Sequence, residues 1–131
     1  MDSTTLKLDT IVSDGVGASE FGVREIKLTG DEIRHLSEQI QAVNFRMRIS
    51  PVGYNSDYHV AGDPTLLVIL KGQIVVTLAS GHSKGFGAGD MFVAEDYLEK
   101  GTEFRSGLHG HKAKVVGSSE LTALHLKLER R

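Results

Sequence analysis

"PTLLVILKGQIVVTLASGHSKGF", residues 64–86, decides the fold. Two apolar runs, Leu66–Leu70 and Ile74–Leu78, are separated by Lys71-Gly72, and a second turn signal follows at Ser80-Gly81. Short runs rich in Val, Ile and Leu and bounded by glycine read as strands, and the Lys71-Gly72 break predicts a hairpin. Downstream, "GAGDMFVAED" (87–96) is a glycine turn into another strand, and "HGHKAKVV" (109–116) and "LTALHLKLE" (121–129) close the chain as two more. Upstream, "VNFRMRIS" (43–50) sets Val43, Phe45, Met47 and Ile49 on one face and Asn44, Arg46 and Arg48 on the other. "YHVAG" (58–62) and "FGVREIKL" (21–28) are short strands as well.

One segment reads otherwise. In "TGDEIRHLSEQI" (29–40), Ile33, Leu36 and Ile40 recur at helical spacing behind a capping Thr29 or Asp31, which predicts one short helical segment near residues 30–38. Residues 1–20 are polar and lack a period; they are expected to be a loose arm, or a strand that needs a partner to order it. Residues 21–131 then form a single domain. The chain has 15 glycines and 2 prolines, as a turn-rich all-β domain requires. Closely spaced strands with little helix imply a sandwich or small barrel.

Composition narrows the function. A chain of 131 residues makes one domain with a real core. A formal net charge of −2 argues against a nucleic-acid binder. The longest apolar run, Leu66–Leu70, is far too short to span a membrane. MDSTTLKLDT has no basic segment followed by an apolar one, so a secretory signal is not expected and the cytoplasm is the default location. The absence of cysteine removes thiolate chemistry, disulfides and Cys-based zinc sites. There is no P-loop, GxGxxG, nucleophile elbow or HExxH.

Six histidines carry the remaining chemistry. His35 lies among charges and His82 in a turn; both read as solvated. His125 alternates against Leu124, Leu126 and Leu128 and is expected to point away from their face. His109 and His111 stand two apart on an apparent strand, sharing a face with Ala113 and Val115, while Lys112 and Lys114 take the other. Inward-facing imidazoles must be hydrogen-bonded, metal-bound or ligand-bound. The plainer reading is one satisfied core histidine and one at an exposed strand end. Glu95 and Asp96 follow an apolar strand, where a carboxylate can serve as acid, base or ligand. The charged loop "YLEKGTEFRSGL" (97–108) is expected to border the cavity mouth, with Arg105 meeting an anionic substrate group or pairing with Glu99 or Glu103.

"YHVAGDPTLLVILKGQIVVTL" (58–78), "GAGDMFVAED" and "GLHGHKAKVV" together resemble the two-part signature of the cupin superfamily. The likeness is closer to a subgroup of small cupins through Phe45-Arg46, Pro51, Gly53-Tyr54, Asp57, His59, Ala61, Pro64, Gly89-Asp90, Ala94-Glu95-Asp96 and Gly110-His111. It covers about residues 20–128. It implies a cupin-type jelly-roll β-barrel of two antiparallel sheets, a homodimer, and a small organic molecule as partner, with neither nucleic acid nor membrane. A full cupin site gives three histidines and a glutamate to a divalent metal; here Ala61 and Thr65 stand at two of those four places.

The expected catalytic residues are His59, His111 and Glu95; the expected metal ligands are His59, His109 and His111; the expected substrate contacts are Tyr54, Arg46, Thr65 and Arg105. The resemblance leaves two states open: one transition metal (iron, manganese, nickel or zinc), or a metal-free site with the same histidines as acid and base. The implied activity is acid–base chemistry of isomerase, lyase (dehydratase), decarboxylase or cyclase type. The alternatives are a non-catalytic small-molecule binder and an iron-dependent dioxygenase.

Overall fold

A computed structural model describes residues 2–15 and 17–130. Its strands are β1 Asp2–Ser13, β2 Ser19–Gly30, β3 His35–Leu36, β4 Ala42–Ser50, β5 Thr65–Lys71, β6 Gln73–Leu78, β7 Ser83–Gly87, β8 Met91–Ala94, β9 His111–Val116 and β10 Leu121–Leu128. Seven form one sheet in the order β3-β2-β1-β8-β5-β10-β4, and three form a second in the order β7-β6-β9. Pairing is antiparallel except where Asp9–Ile11 of β1 run parallel to Phe92–Ala94 of β8. The fold is all-β, two sheets arranged as in a jelly roll. Among the described residues no helix is long and apolar enough to cross a membrane.

The core lies between the sheets because alternate residues of each strand point there. Ile69 of β5, Val76 and Leu78 of β6, Val115 of β9 and Ala123 of β10 are at most 1% exposed. Phe86 and Phe92 stack across the interface with ring centroids 4.3 Å apart. Each fully buried large aliphatic side chain contributes about 1.5–3 kcal/mol, so a handful of these positions sets the stability scale.

The Lys71-Gly72 break is a sheet-to-sheet corner rather than a hairpin. β5 pairs with β8 and β10, whereas β6 pairs with β7 and β9. Gly72, at φ 85°, sits so tightly on the β10 entry that a Cβ there would lie 2.5 Å from the Glu120 carbonyl oxygen. The chain turns over that carbonyl into the other sheet. The Ser80-Gly81 turn does join a hairpin, β6 to β7.

The helix expected near residues 30–38 does not form. Asp31 does act as a cap, accepting the N–H groups of Ile33 and Arg34. The chain then adds β3 to the edge of β2, pairing His35 with Gly30 and Leu36 with Thr29. Ile33, Leu36 and Ile40 are all more than half exposed, so no apolar surface receives their helical face. The loose arm expected over residues 1–20 gives way to a strand: β1, Asp2–Ser13, runs the length of β2, and its Ile11 is fully buried, because the sheet supplies the partner that orders it.

On the edge strand β4 both faces are exposed from Ala42 to Ile49 and only Ser50 is buried. Val43, Phe45, Met47 and Ile49 are 56–67% exposed. Their neighbours Arg46 and Arg48 lie opposite His125 and the buried Ala123 of β10, on the barrel side.

Candidate functional site

His59 and His111 are brought together by the backbone. The segment carrying His59 bridges to the start of β9, with His59 N–H donating to His111 O at 2.9 Å and His111 N–H donating to His59 O at 2.8 Å. Gly110 makes this approach feasible. Its φ is 83°, and a Cβ there would stand 2.5 Å from the His59 carbonyl oxygen. The two rings lie 4.6 Å apart, tilted by 55°.

Behind His111 lies a carboxylate with no contact to water. Asp96 is 0% exposed. Its Oδ2 is 2.8 Å from His111 Nδ1 and accepts the Ser19 hydroxyl at 2.7 Å; its Oδ1 accepts the Ala61 N–H at 3.0 Å. Ser19 in turn accepts the Gly110 N–H at 3.1 Å. Burial alone would push Asp96 up, but the donors His111, Ser19 and Ala61 outweigh it and hold the carboxyl below the usual value. An ionised carboxylate only accepts, so neutral His111 carries its proton on Nδ1 and keeps a lone pair on Nε2. His59 is set the same way: its Nδ1 lies 2.8 Å from the Asp57 carbonyl, which also only accepts.

Both imidazoles border a cavity of about 90 Å³ between the sheets, whose wall also includes Tyr54, Arg48, Ser50 and Ser56, apolar residues such as Leu67 and Phe92, and His125. His125 was expected only to turn away from its leucine neighbours; that turn aims it into the barrel. Burial, then the charges of Arg48 and Arg46, hold it below the ordinary imidazole value.

Of the expected site residues, the cavity gathers His59, His111 and Tyr54, with Arg46 beside it on the barrel side of β4. Glu95 is not among them. It alternates with Ala94 and Asp96, points out of the barrel and pairs with Arg24 of β2. The carboxylate of the site is its neighbour Asp96. Thr65 bonds its hydroxyl to the Asp63 carbonyl and does not border the cavity.

His109 also lies elsewhere. It precedes β9, and the left-handed Gly110 breaks the alternation that was expected to align it with His111. It is 3% exposed, accepts the Arg105 N–H on Nδ1 at 2.9 Å, and borders an open cleft with Gly17, Glu99, Glu103 and Arg105. The 97–108 loop therefore flanks this separate cleft. Ser19 carries no sequence signal, because its role depends on β1 and β2 bringing it beside a residue far along the chain.

A metal does not fit the donors present. Two imidazole rings lie 4.6 Å apart, but Ala61 and Thr65 supply no donor, Glu95 is turned away, and Asp96 is occupied by its own donors. Among the described residues no group of three or more His, Cys, Asp or Glu side chains is placed to hold an ion.

No protein-family profile and no curated protein matches the chain. Solved structures do. Protein NMB1881 from Neisseria meningitidis is similar at 16% identity over 70% of this chain and 84% of that one, with a TM-score of 0.42. The cupin domain of Schizosaccharomyces pombe Cnp3 is similar at 15% identity over 97% of this chain and 88% of that one, also with a TM-score of 0.42.

Proposed function

We propose that this protein is a small-molecule cupin that moves protons on its ligand, with His111 as general base and acid and His59 as its partner. The observation that carries this reading is the buried Asp96–His111 pair behind a cavity. A carboxylate bonded to one ring nitrogen fixes the tautomer, aims the other nitrogen and stabilises the imidazolium formed when a proton is taken. A core histidine needs only a hydrogen-bond partner. This one has a fully desolvated carboxylate held by further donors, an arrangement costly to build for packing alone. Proton removal and return at carbon suits isomerase or lyase chemistry. The two-imidazole donor set favours the metal-free form over an iron-dependent oxygenase.

The test is solvent exchange. The protein is incubated in D2O with a panel of small ketones and 2-oxo acids, and deuterium entering the carbon beside the carbonyl is followed by NMR. Wild type should accelerate exchange of at least one compound, and His111→Gln should reduce that acceleration by about 10²–10⁴-fold. Binding of a panel compound at the histidines without exchange would favour the non-catalytic reading. Exchange unaltered in His111→Gln would remove the base.

A further inference from the structure

The arginines of β4 point to the chemistry of the ligand. Strands of a sandwich turn apolar residues inward. On β4, where Ala42–Ile49 are all exposed, Phe45 and Met47 face outward and Arg46 and Arg48 share the face of His125 and Ala123. Arg48 forms part of the wall that holds His59 and His111, with its guanidinium carbon 5.1 Å from the centre of the Tyr54 ring. Both charges are felt at His125 in the same wall.

Neither arginine is neutralised from within. The ion pairs among the described residues are Arg24–Glu95, Lys84–Asp9, His111–Asp96 and Arg130–Asp63. The one carboxylate behind this wall, Asp96, is saturated by His111, Ser19 and Ala61. Arg48 therefore stands in the cavity wall, with the exposed Arg46 on the same face of β4, and neither has an ion-pair partner among the described residues.

We propose that the ligand is a small organic acid whose carboxylate is held by Arg46 and Arg48 at the mouth, with its carbon skeleton reaching in to His59 and His111. This rests on the reading of the cavity as the functional site. The planar fork of a guanidinium matches the two oxygens of a carboxylate. The apolar part of the wall, with Leu67 and Phe92, receives the carbon skeleton, and a volume of about 90 Å³ limits that skeleton to a few carbons. Anion recognition thus belongs to β4, and Arg105, on the separate cleft with His109, has no part in it.

Butyrate, 1-butanol and butylammonium are probes of one size and three charges. Each is titrated into the full chain while the imidazole signals of His59 and His111 are followed by NMR. Butyrate should shift both, and the other two should not. Arg48→Gln should weaken butyrate at least about tenfold, since a hydrogen bond to a charged group is lost, and Arg46→Gln, on the same barrel-side face of β4, should act in the same direction. Raised salt should weaken butyrate as well. Butanol shifting the histidines as readily as butyrate, or butyrate bound equally by wild type and both arginine variants, would overturn the anion proposal and leave the cavity standing as the site. Saturating butyrate that shifts signals only outside the cavity would overturn the proposal together with the site reading.

Discussion

Gly110→Ala should cost about 2–5 kcal/mol of stability and separate His59 from His111. About 1–2 kcal/mol comes from holding a Cβ-bearing residue in the left-handed region, where Gly110 sits at φ 83°. About 1–3 kcal/mol more comes from forcing apart atoms that cannot coexist, because the new methyl would stand 2.5 Å from the His59 carbonyl oxygen and 2.8 Å from its carbon. Those are backbone atoms, so relief requires moving the His59 segment off β9 and breaking the paired bonds that join the two histidines. Gly89 is the matched control. Its φ is 93°, yet a Cβ there meets nothing within 4 Å. Gly89→Ala should therefore show the conformational cost alone, about 1–2 kcal/mol. Urea denaturation of the three proteins measures the difference, and equal midpoints for the two variants would show that the close approach at Gly110 is absent.

Asp96→Ala should destabilise the protein by about 3–5 kcal/mol, the range for breaking a buried pair from one side. The cost arises because the His111 Nδ1–H, the Ser19 hydroxyl and the Ala61 N–H all lose their acceptor in a place water does not reach. Asp96→Asn keeps the volume but offers one acceptor oxygen for two sites, so either Ala61 or the His111–Ser19 side goes unpaired. Proton transfer should fall on the order of 10⁴-fold in Asp96→Asn, the effect of a lost tautomer in a histidine–aspartate pair. The pH dependence has a defined sign. The Asp96 carboxyl is lowered in the folded state, so its stabilisation is fully present above the unfolded value of 3.8 and is lost as pH falls through the lower folded value. His125 is also lowered, so its contribution is present above the unfolded value of 6.5 and declines as pH falls toward the folded one. Stability curves against pH should therefore fall on the acid side, and Asp96→Asn should lack the steepest, most acidic part of that fall.

Strand alternation carried most of the fold in this sequence. The strands near residues 43–50, 65–70, 74–78 and 121–128 follow from it directly, and so does the facing of Arg46 and Arg48 away from Phe45 and Met47. What alternation does not state is which face is inside. On β4 the apolar face is the outer one, and on β10 both faces are covered, so turning away from the leucines carries His125 into the cavity rather than to solvent. Pairing partners were also hidden, because Lys71-Gly72 has the composition of a hairpin and only the contact of Gly72 with Glu120 makes it a corner. The site was half legible. His59, His111 and Tyr54 follow from the motif, but adjacent acids just past the end of β8 at Ala94 do not say which of them turns inward, and it is Asp96 rather than Glu95. His109 does not align with His111 because the left-handed Gly110 interrupts a regular pleat.

Asp96 is expected to fix His111 with its Nε2 lone pair toward the cavity, beside a His59 set the same way. Long-range ¹H–¹⁵N correlation of the imidazole rings, assigned with His59→Gln and His111→Gln, reads this directly. The neutral form of both rings should carry its proton on Nδ1, with the Nε2 resonance of an unprotonated nitrogen, and in Asp96→Asn the His111 pattern should change while that of His59 stays. A neutral His111 with its proton on Nε2 and a bare Nδ1 would contradict the account, because Asp96 would then have nothing to hold and the cavity would face a donor instead of a base.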